Sequence, residues 1–185
     1  MLIFHTRTQG LDPARARCRG RSRSAESAFA YSLLLYALGL DELPRLALDG
    51  AGKPYFPDLP SVHFSLSHTK GLVLAAVSDR PVGADTQLIE PARAGRLQEA
   101  LMTETERRDF DFFTLWTLRE AAFKLDGTGD LRSMRFSRSG GRILGPDPSV
   151  RFRCYSLPGC AAAAACREGQ FPETLTEVPA DKICS

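Results

Sequence analysis

The first apolar stretch of the chain has helical character. Residues 24–40 are dominated by alanine and leucine, and this composition predicts a helix. Ser24 or Ser27 can cap its start with a side-chain oxygen, and Gly39 can end it in a left-handed conformation. The pattern therefore predicts a single helix before the first strands.

The segments that follow have the shorter period of β-structure. After a turn-rich stretch at 50–60, residues 64–67 alternate apolar and polar side chains. A turn at 69–71 leads into a continuous apolar run at 72–77. This arrangement predicts a β-hairpin, and residues 82–86 predict a further short strand.

Helical patterns return after these strands. Residues 92–102 predict one helix, and a second is predicted from Thr103 to Gly127. Thr103 and Glu106 have the spacing of a capping box, in which each side chain bonds the backbone N–H of the other residue. Aromatic residues recur along the second helix and predict that one face of it is buried.

The remainder of the chain has strand-like patterns at 134–136, 150–157 and 161–166. Five consecutive alanines in the last of these favour a helix by propensity. However, the Pro-Gly pair at 158–159 and Gly169 leave a stretch too short for a stable helix. We therefore expect a buried strand, paired with 150–157 across the Pro-Gly turn.

The order of elements is helix, strands, helices and strands, without the βαβ alternation of a parallel sheet. This order predicts an α+β fold of two halves that meet near Gly83. The N-terminal α+β half comprises residues 1–83, and the C-terminal α+β half comprises residues 84–185.

Composition is that of an ordinary globular protein, with 43% hydrophobic and 25% charged residues among 185. The longest apolar stretches end well short of the roughly 20 residues that cross a bilayer, and no signal-peptide pattern begins the chain. Its five cysteines are odd in number and lack metal-binding spacing, which is typical of free thiols in a reducing cytosol. We expect a cytoplasmic protein with no membrane partner.

Positive charge is concentrated near the N-terminus, although the net charge is only +2. Six arginines precede residue 24, whereas the same segment contains a single acidic residue, Asp12. Such a strip suits a polyanion, either a nucleic acid or a phosphate-rich cofactor, and a solvated segment is the alternative. It has no nucleic-acid-binding motif and no aromatics for base stacking, so we expect no nucleic-acid partner. The arginines are Arg7, Arg15, Arg17, Arg19, Arg21 and Arg23.

Two oxygen-bearing side chains lie at the end of the predicted strand 82–86. Asp85 and Gln87 are two residues apart and therefore on the same side of an extended chain. Carboxylate and carboxamide oxygens are ligands that a hard divalent cation accepts. The alternative is that Asp85 only helps to form a turn.

Trp116, Glu120 and Lys124 follow one another at four-residue intervals, so they lie on one face of the second predicted helix. A carboxylate and an ammonium one turn apart could hold a metal and a phosphate together. The alternative is an exposed Glu–Lys pair worth about 0.3 kcal/mol. Trp116 on the same stripe favours a partly buried face.

The hairpin and the turn before it offer hydrogen-bond donors. Ser67 and His68 at a strand end, next to a lysine in the turn, suit an anion such as phosphate. Adjacent residues on a strand face opposite sides, so these two are a poor nucleophile–base pair. Lys53 and Pro54 form part of a rigid turn that presents one lysine.

Four short motifs occur in one order along the chain, and no single one is specific. They are Gly-Lys-Pro-Tyr at 52–55, Phe-Ser-Leu-Ser-His at 64–68, Gly-Ala-Asp at 83–85 and Trp-Thr-Leu-Arg-Glu-Ala-Ala-Phe-Lys at 116–124. Together they resemble the signature of the Sfp-type 4′-phosphopantetheinyl transferases, over roughly residues 24–175.

The resemblance implies two similar α+β subdomains related by a pseudo-twofold axis, with coenzyme A in the cleft between them. It places the metal-binding motifs in the C-terminal half. The implied roles are Mg²⁺ ligation by Asp85, Glu120 and Gln87, neutralisation of the phosphates by Lys124, and coenzyme A binding by Lys53, Pro54, Ser67, His68, Asp85 and Lys124, with help from the early arginines.

The implied activity is transfer of 4′-phosphopantetheine from coenzyme A to a serine of an apo acyl or peptidyl carrier protein. The products are the holo carrier and 3′,5′-ADP. Glu120, Lys124 and Asp85 would be the catalytic residues, with Glu120 or a metal-bound water beside it accepting the serine proton. Family members are usually monomeric. The alternative is a weak or inactive relative that binds coenzyme A or a carrier protein without transfer.

Three departures from the family pattern affect these expectations. Gln87 replaces the second acid of the Asp85 motif, so we expect weaker metal binding. Arg119 replaces the usual lysine, which keeps the charge and changes its geometry. The segment before the first helix is shorter than usual in the family, so some cofactor or carrier contacts would be missing.

Overall fold

The computed structural model describes residues 1–18 and 24–184, which form helices and antiparallel sheets. The α-helices are α1 (Ala25–Leu38), α2 (Pro91–Leu101), α3 (Glu104–Asp109) and α4 (Phe112–Asp126). The strands are β1 (Leu2–Arg7), β2 (Ala47–Leu48), β3 (Pro54–Tyr55), β4 (His63–Thr69), β5 (Leu72–Ser78), β6 (Val82–Leu88), β7 (Ser137–Ser139), β8 (Arg142–Leu144), β9 (Arg151–Leu157), β10 (Cys160–Cys166) and β11 (Thr176–Glu177). Within these residues, no helix is both long and apolar enough to span a bilayer.

The same connectivity occurs twice in the chain. In the first sheet, β1 leads through α1 to the hairpin β4–β5, and β5 pairs antiparallel with β1 and β4. In the second sheet, β6 leads through α4 to the hairpin β9–β10, and β10 pairs antiparallel with β6 and β9. This repetition agrees with the expected α+β fold of two similar subdomains.

Strand β6, the first strand of the second repeat of this connectivity, begins at Val82. The predicted boundary at Gly83 therefore lies within β6. The short strand β11 returns to the first sheet, where it lies parallel to β1 with Thr176 opposite Phe4. The division of the chain into halves 1–83 and 84–185 stays a prediction.

The alanine-rich segment is a strand, as expected, because both of its faces are covered. Ala161, Ala163 and Ala165 pack against the α4 side, while Ala162 and Ala164 pack against the first sheet. All seven residues of β10 are buried. Small side chains let a helix and a second sheet approach the same strand closely, so tertiary packing prevails over the helix propensity of alanine.

Several other expected elements form. Helix α1 begins where Ser24 Oγ accepts a hydrogen bond from the Ser27 N–H at 3.1 Å, and it ends at Gly39 with φ of 65°. The β4–β5 hairpin and the expected strand at β6 are also present.

Two local predictions are wrong. The single helix from Thr103 to Gly127 is instead α3 and α4, because buried Phe110 is extended and Asp111 caps a new helix through the Thr114 N–H. The segment 134–136, expected to be a strand, has no regular secondary structure, and its Phe136 N–H donates to Glu106. Strand β1 was not expected at all.

Gly83 allows helix α4 to lie directly on β6. A Cβ at this position would overlap the Ala121 carbonyl oxygen and would come within 2.6 Å of the Leu125 backbone nitrogen. Both of these atoms belong to the helix backbone, so a side chain could be accommodated only by moving the helix. This close contact brings the C-terminal half of α4 to the strand that carries Asp85.

Candidate active site

Asp85 lies at the centre of the site, where strands β4 and β6 run side by side. Its side chain is almost fully buried, at 2% exposure for the residue. Ser67 Oγ donates to Asp85 Oδ1 at 2.6 Å and accepts the Thr86 N–H at 3.2 Å. A buried carboxylate must be compensated, so these contacts fix both its position and its orientation.

Side-chain hydroxyls connect β4 to β6. The hydroxyls of Ser65, Ser67 and Thr69 accept the backbone N–H groups of Ala84, Thr86 and Leu88, at 3.0, 3.2 and 3.2 Å. The three acceptors occupy every second position of β4, and the three donors occupy every second position of β6. This is the spacing of groups on one side of a strand. Because the connection uses hydroxyls rather than a backbone ladder, the two sheets meet here without merging.

Lys124 reaches Asp85 from α4. Its Nζ donates to Asp85 Oδ1 at 2.7 Å and to the Leu66 carbonyl at 3.2 Å. The Asp85 side chain is 3% exposed and the Lys124 side chain 27%, so the ion pair is buried on one side and open on the other. The two motifs that were expected to meet therefore do meet.

Glu120 lies one helical turn before Lys124 and is half-buried. Burial raises the pKa of its carboxyl group, and the negative charge of Asp85 raises it further. Lys124 and a hydrogen bond from the Trp116 side chain oppose this shift. The resemblance places both carboxylates at one Mg²⁺ site, and this assignment stays a prediction.

Gln87 also faces Asp85. Its Nε2 donates to Asp85 Oδ2 at 2.9 Å, so the amide acts here as a hydrogen-bond donor. Both Asp85 oxygens are thus occupied, one by Ser67 and Lys124 and the other by Gln87. In the described part of the chain, no cluster of three or more acids, histidines or cysteines is arranged to hold a metal ion.

A cavity of about 270 Å³ opens beside Lys124, between α1 and α4. It contains four of the residues that the resemblance assigns to coenzyme A binding: Lys53, Pro54, His68 and Lys124. Ser67 is not part of its lining, because the Ser67 hydroxyl is directed at Asp85. The other lining residues are Ser27, Ala30, Tyr31, Ala51, Gly52, Phe64, Ser65, Leu66, Phe123 and Gly127.

Two polar residues of this cavity, Lys53 and His68, differ in their exposure to solvent. Lys53 Nζ donates to the Val82 carbonyl at 2.9 Å and to the Leu125 carbonyl at 3.5 Å, and burial lowers its pKa. His68 is more exposed, and burial together with nearby Lys124 lowers its pKa. Lys53 therefore links β6 to α4 through two hydrogen bonds. The third N–H group of its ammonium can donate to another acceptor.

The early arginines lie away from this cavity or outside the described residues. Arg7 donates to the Pro158 carbonyl at 2.5 Å. Neither it nor Arg15 or Arg17 contributes to the cavity lining. Arg19, Arg21 and Arg23 fall outside the described residues.

Arg119 belongs to the interior, although it is part of the same motif as Glu120. It is fully buried at 0% exposure, and its Nη2 lies 3.0 Å from Glu106 Oε1. Its Nη1 donates to the Leu101 carbonyl at 3.0 Å. No local sequence pattern predicts this pair, although the capping box marks Glu106 as a structural residue.

Glu106 receives several hydrogen bonds besides that of Arg119. Burial alone would raise the pKa of its carboxyl group, but bonds from Thr103, Arg119 and Phe136 outweigh burial and lower it. The bonded groups come from α3, α4 and the segment before β7. This ion pair therefore fixes the helix surface on which Glu120 lies.

Comparison with known proteins finds relatives that are named 4′-phosphopantetheinyl transferases. No family model matches the chain. A 4′-phosphopantetheinyl transferase of Bacillus pumilus, psf-1, is 38% identical over 104 residues, which are 51% of this chain and 44% of that protein. Two relatives from Bacillus subtilis are also named 4′-phosphopantetheinyl transferases. Ffp is 28% identical, and the match covers 72% of this chain and 68% of Ffp. Sfp is 27% identical, and the match covers 75% of this chain and 70% of Sfp.

The chain is similar to the Sfp-type 4′-phosphopantetheinyl transferases. The match spans less than half of psf-1 and somewhat over two thirds of the two Bacillus subtilis proteins. In the motifs quoted above, the chain carries Asp85, Glu120 and Lys124 together with glutamine at 87.

Proposed function

We propose that this chain transfers 4′-phosphopantetheine from coenzyme A to a serine of an apo acyl or peptidyl carrier protein. The observation that carries the proposal is the contact between Asp85 and Lys124, which brings the two motifs together beside a cavity that Lys124 lines, with Glu120 one turn away on the same helix. Phosphoryl transfer needs positioning and charge neutralisation more than covalent chemistry by the protein, and these groups supply both.

Coenzyme A would occupy the cavity between α1 and α4. Lys53, Pro54 and His68 line it, and Lys124 lies at the edge nearest Asp85. A phosphate placed there would accept from the Lys124 ammonium and from the remaining N–H of Lys53. Ser67 would act on the cofactor only through Asp85, because its hydroxyl already bonds that carboxylate.

The residues present fit Mg²⁺, which prefers oxygen ligands. The carboxylate of Asp85 is buried and that of Glu120 is half-buried, and their negative charges repel each other. A bound cation would reduce this repulsion. Asp85 and Glu120 would hold the ion, and Gln87 would contribute its carboxamide oxygen after rotating the amide nitrogen away from Asp85. When bound, Mg²⁺ would neutralise charge on the pyrophosphate.

The chemical step would be an in-line displacement at phosphorus. The serine oxygen forms a bond to the phosphorus that carries pantetheine, and the bond from that phosphorus to the bridging oxygen of 3′,5′-ADP breaks. The serine proton passes to the Glu120 carboxylate. Lys124 stabilises the negative charge of the leaving ADP.

The carrier type and the setting of the reaction are further proposals. We expect the protein to act as a monomer in the cytoplasm, on a carrier of fatty-acid, polyketide or nonribosomal-peptide synthesis. We expect neither a nucleic acid nor a membrane as partner.

Mass spectrometry of an apo carrier protein, incubated with the chain, coenzyme A and Mg²⁺, tests the transfer directly. We expect the carrier to gain the mass of one phosphopantetheine group and to lose this gain with Glu120→Gln. Glu104→Gln, an exposed residue of α3, is the matched control and should leave transfer unchanged. Coenzyme A binding in calorimetry without any mass gain would instead establish the non-transferring relative.

A further inference from the structure

A second concave surface lies at the outer edge of the second sheet. A groove of about 820 Å³ runs along β9 and is lined by residues from β8, β9 and Phe171. It shares no lining residue with the cavity beside Lys124. Among the described residues β9 pairs with β10 alone, so its outer edge carries backbone N–H and C=O groups that the sheet does not use.

Four arginines surround this groove: Arg138, Arg142, Arg151 and Arg153. In the part of the chain that the structure describes, none of them forms an ion pair with an acid. Arg167 is a useful contrast, because it binds both Asp126 and Asp147, at 2.6 and 3.0 Å.

Three of the four groove arginines donate to backbone carbonyl groups. Arg138 donates to the Asp109 carbonyl at 3.2 Å, and Arg153 donates to the Glu173 carbonyl at 3.1 Å. Arg151 donates to the Gly169 carbonyl. A carbonyl group orients a guanidinium without cancelling its charge, so the rim of the groove stays positive.

Four apolar residues also line the groove. Phe152 and Phe171 are half-buried, and Ile143 and Leu144 belong to β8. Leu144 is 46% exposed, so its side chain is accessible to a partner. Phe152 packs against Phe136 in a T-shaped arrangement, with ring centroids 5.1 Å apart.

We propose that this groove binds an acidic, extended segment of a partner protein. Acidic side chains of such a segment would pair with the four arginines, and its apolar side chains would contact Leu144 and Ile143. Its backbone would add to the outer edge of β9, as extended peptides add to exposed strand edges. The proposal does not depend on the transferase activity, because the two surfaces share no residue.

Fluorescence anisotropy with a labelled synthetic peptide of alternating glutamate and valine tests this surface. We expect saturable binding to the wild-type chain that weakens as salt concentration rises. Arg142→Glu should weaken it about tenfold, since it reverses one charge on the rim. Arg96→Glu on the exposed side of α2 makes the same charge change elsewhere and should leave affinity within about twofold.

A second variant tests the apolar lining without changing the charge of the groove. Leu144→Ser should weaken binding of the same peptide, and it carries the test alone if Arg142→Glu does not fold. Thermal melting of each variant checks folding. Absence of binding by the wild type, equal loss in Arg96→Glu, or equal binding of a lysine–valine peptide would each overturn the proposal. Displacement of the peptide by oligothymidylate would overturn it in favour of a nucleic acid.

Discussion

The Lys124 ammonium lies 2.7 Å from Asp85 Oδ1, although 39 residues separate the two along the chain. The same carboxylate accepts from Ser67 on Oδ1 and from Gln87 on Oδ2. Asp85 is therefore held by one residue from each of three elements, β4, β6 and α4. A metal ion at this site would have to share the carboxylate with Lys124 and displace the Gln87 amide.

Gln87→Glu should make the site bind Mg²⁺ more tightly. The substitution removes a hydrogen bond to Asp85 and adds a third carboxylate, which raises the affinity for a hard cation. We expect half-maximal transfer at a Mg²⁺ concentration about tenfold lower, and a melting temperature that depends more strongly on Mg²⁺. Titration of both quantities provides the measurement. Gln170→Glu, which makes the same charge change in an exposed segment, should alter neither.

Trp116→Phe should shift the pH dependence of transfer. The hydrogen bond from Trp116 lowers the pKa of Glu120, so its loss raises that pKa further. Transfer requires the carboxylate form of Glu120 and is lost as pH falls through its pKa. The acidic limb of kcat/KM should therefore move to higher pH in this variant. An unchanged limb would contradict the role of Glu120 as the proton acceptor.

Arg119→Leu should strongly destabilise the protein. The substitution leaves the Glu106 carboxylate buried without its cationic partner, a change that costs about 3–5 kcal/mol in buried pairs. Urea denaturation followed by circular dichroism measures the loss. The control is Arg107→Leu, an exposed position of α3, which should change stability by no more than about 0.5 kcal/mol. Similar stabilities for the two variants would show that the Arg119 pair contributes little.

Gly83→Ala should lower both stability and transfer activity. The new methyl group overlaps the α4 backbone at Ala121, so the helix must move away from β6. Overpacking of this kind costs about 1–3 kcal/mol, and it also displaces Lys124 from Asp85. Gly95→Ala is the matched control, because a Cβ there meets open space within a helix. That variant should be slightly more stable than the wild type.

Local spacing in the sequence predicted how the candidate site residues lie relative to their neighbours in the chain. Their spacing placed Glu120 and Lys124 one turn apart on a helix face, and it placed Asp85 and Gln87 on one side of a strand. Capping chemistry and Pro-Gly turns similarly predicted α1 and the β9–β10 hairpin, because these signals depend on only a few neighbouring residues.

Long-range contacts decided the rest. Arg119 and Glu106 form their ion pair only because α3 and α4 are separate helices, and Phe110 separates them by becoming buried in the core. Strand β1 exists because β5 offers it an edge, and Gln87 became a donor to Asp85 because both side chains face α4. Local patterns specify what a residue can do, whereas burial and distant partners determine which of those options lowers the free energy of the folded chain.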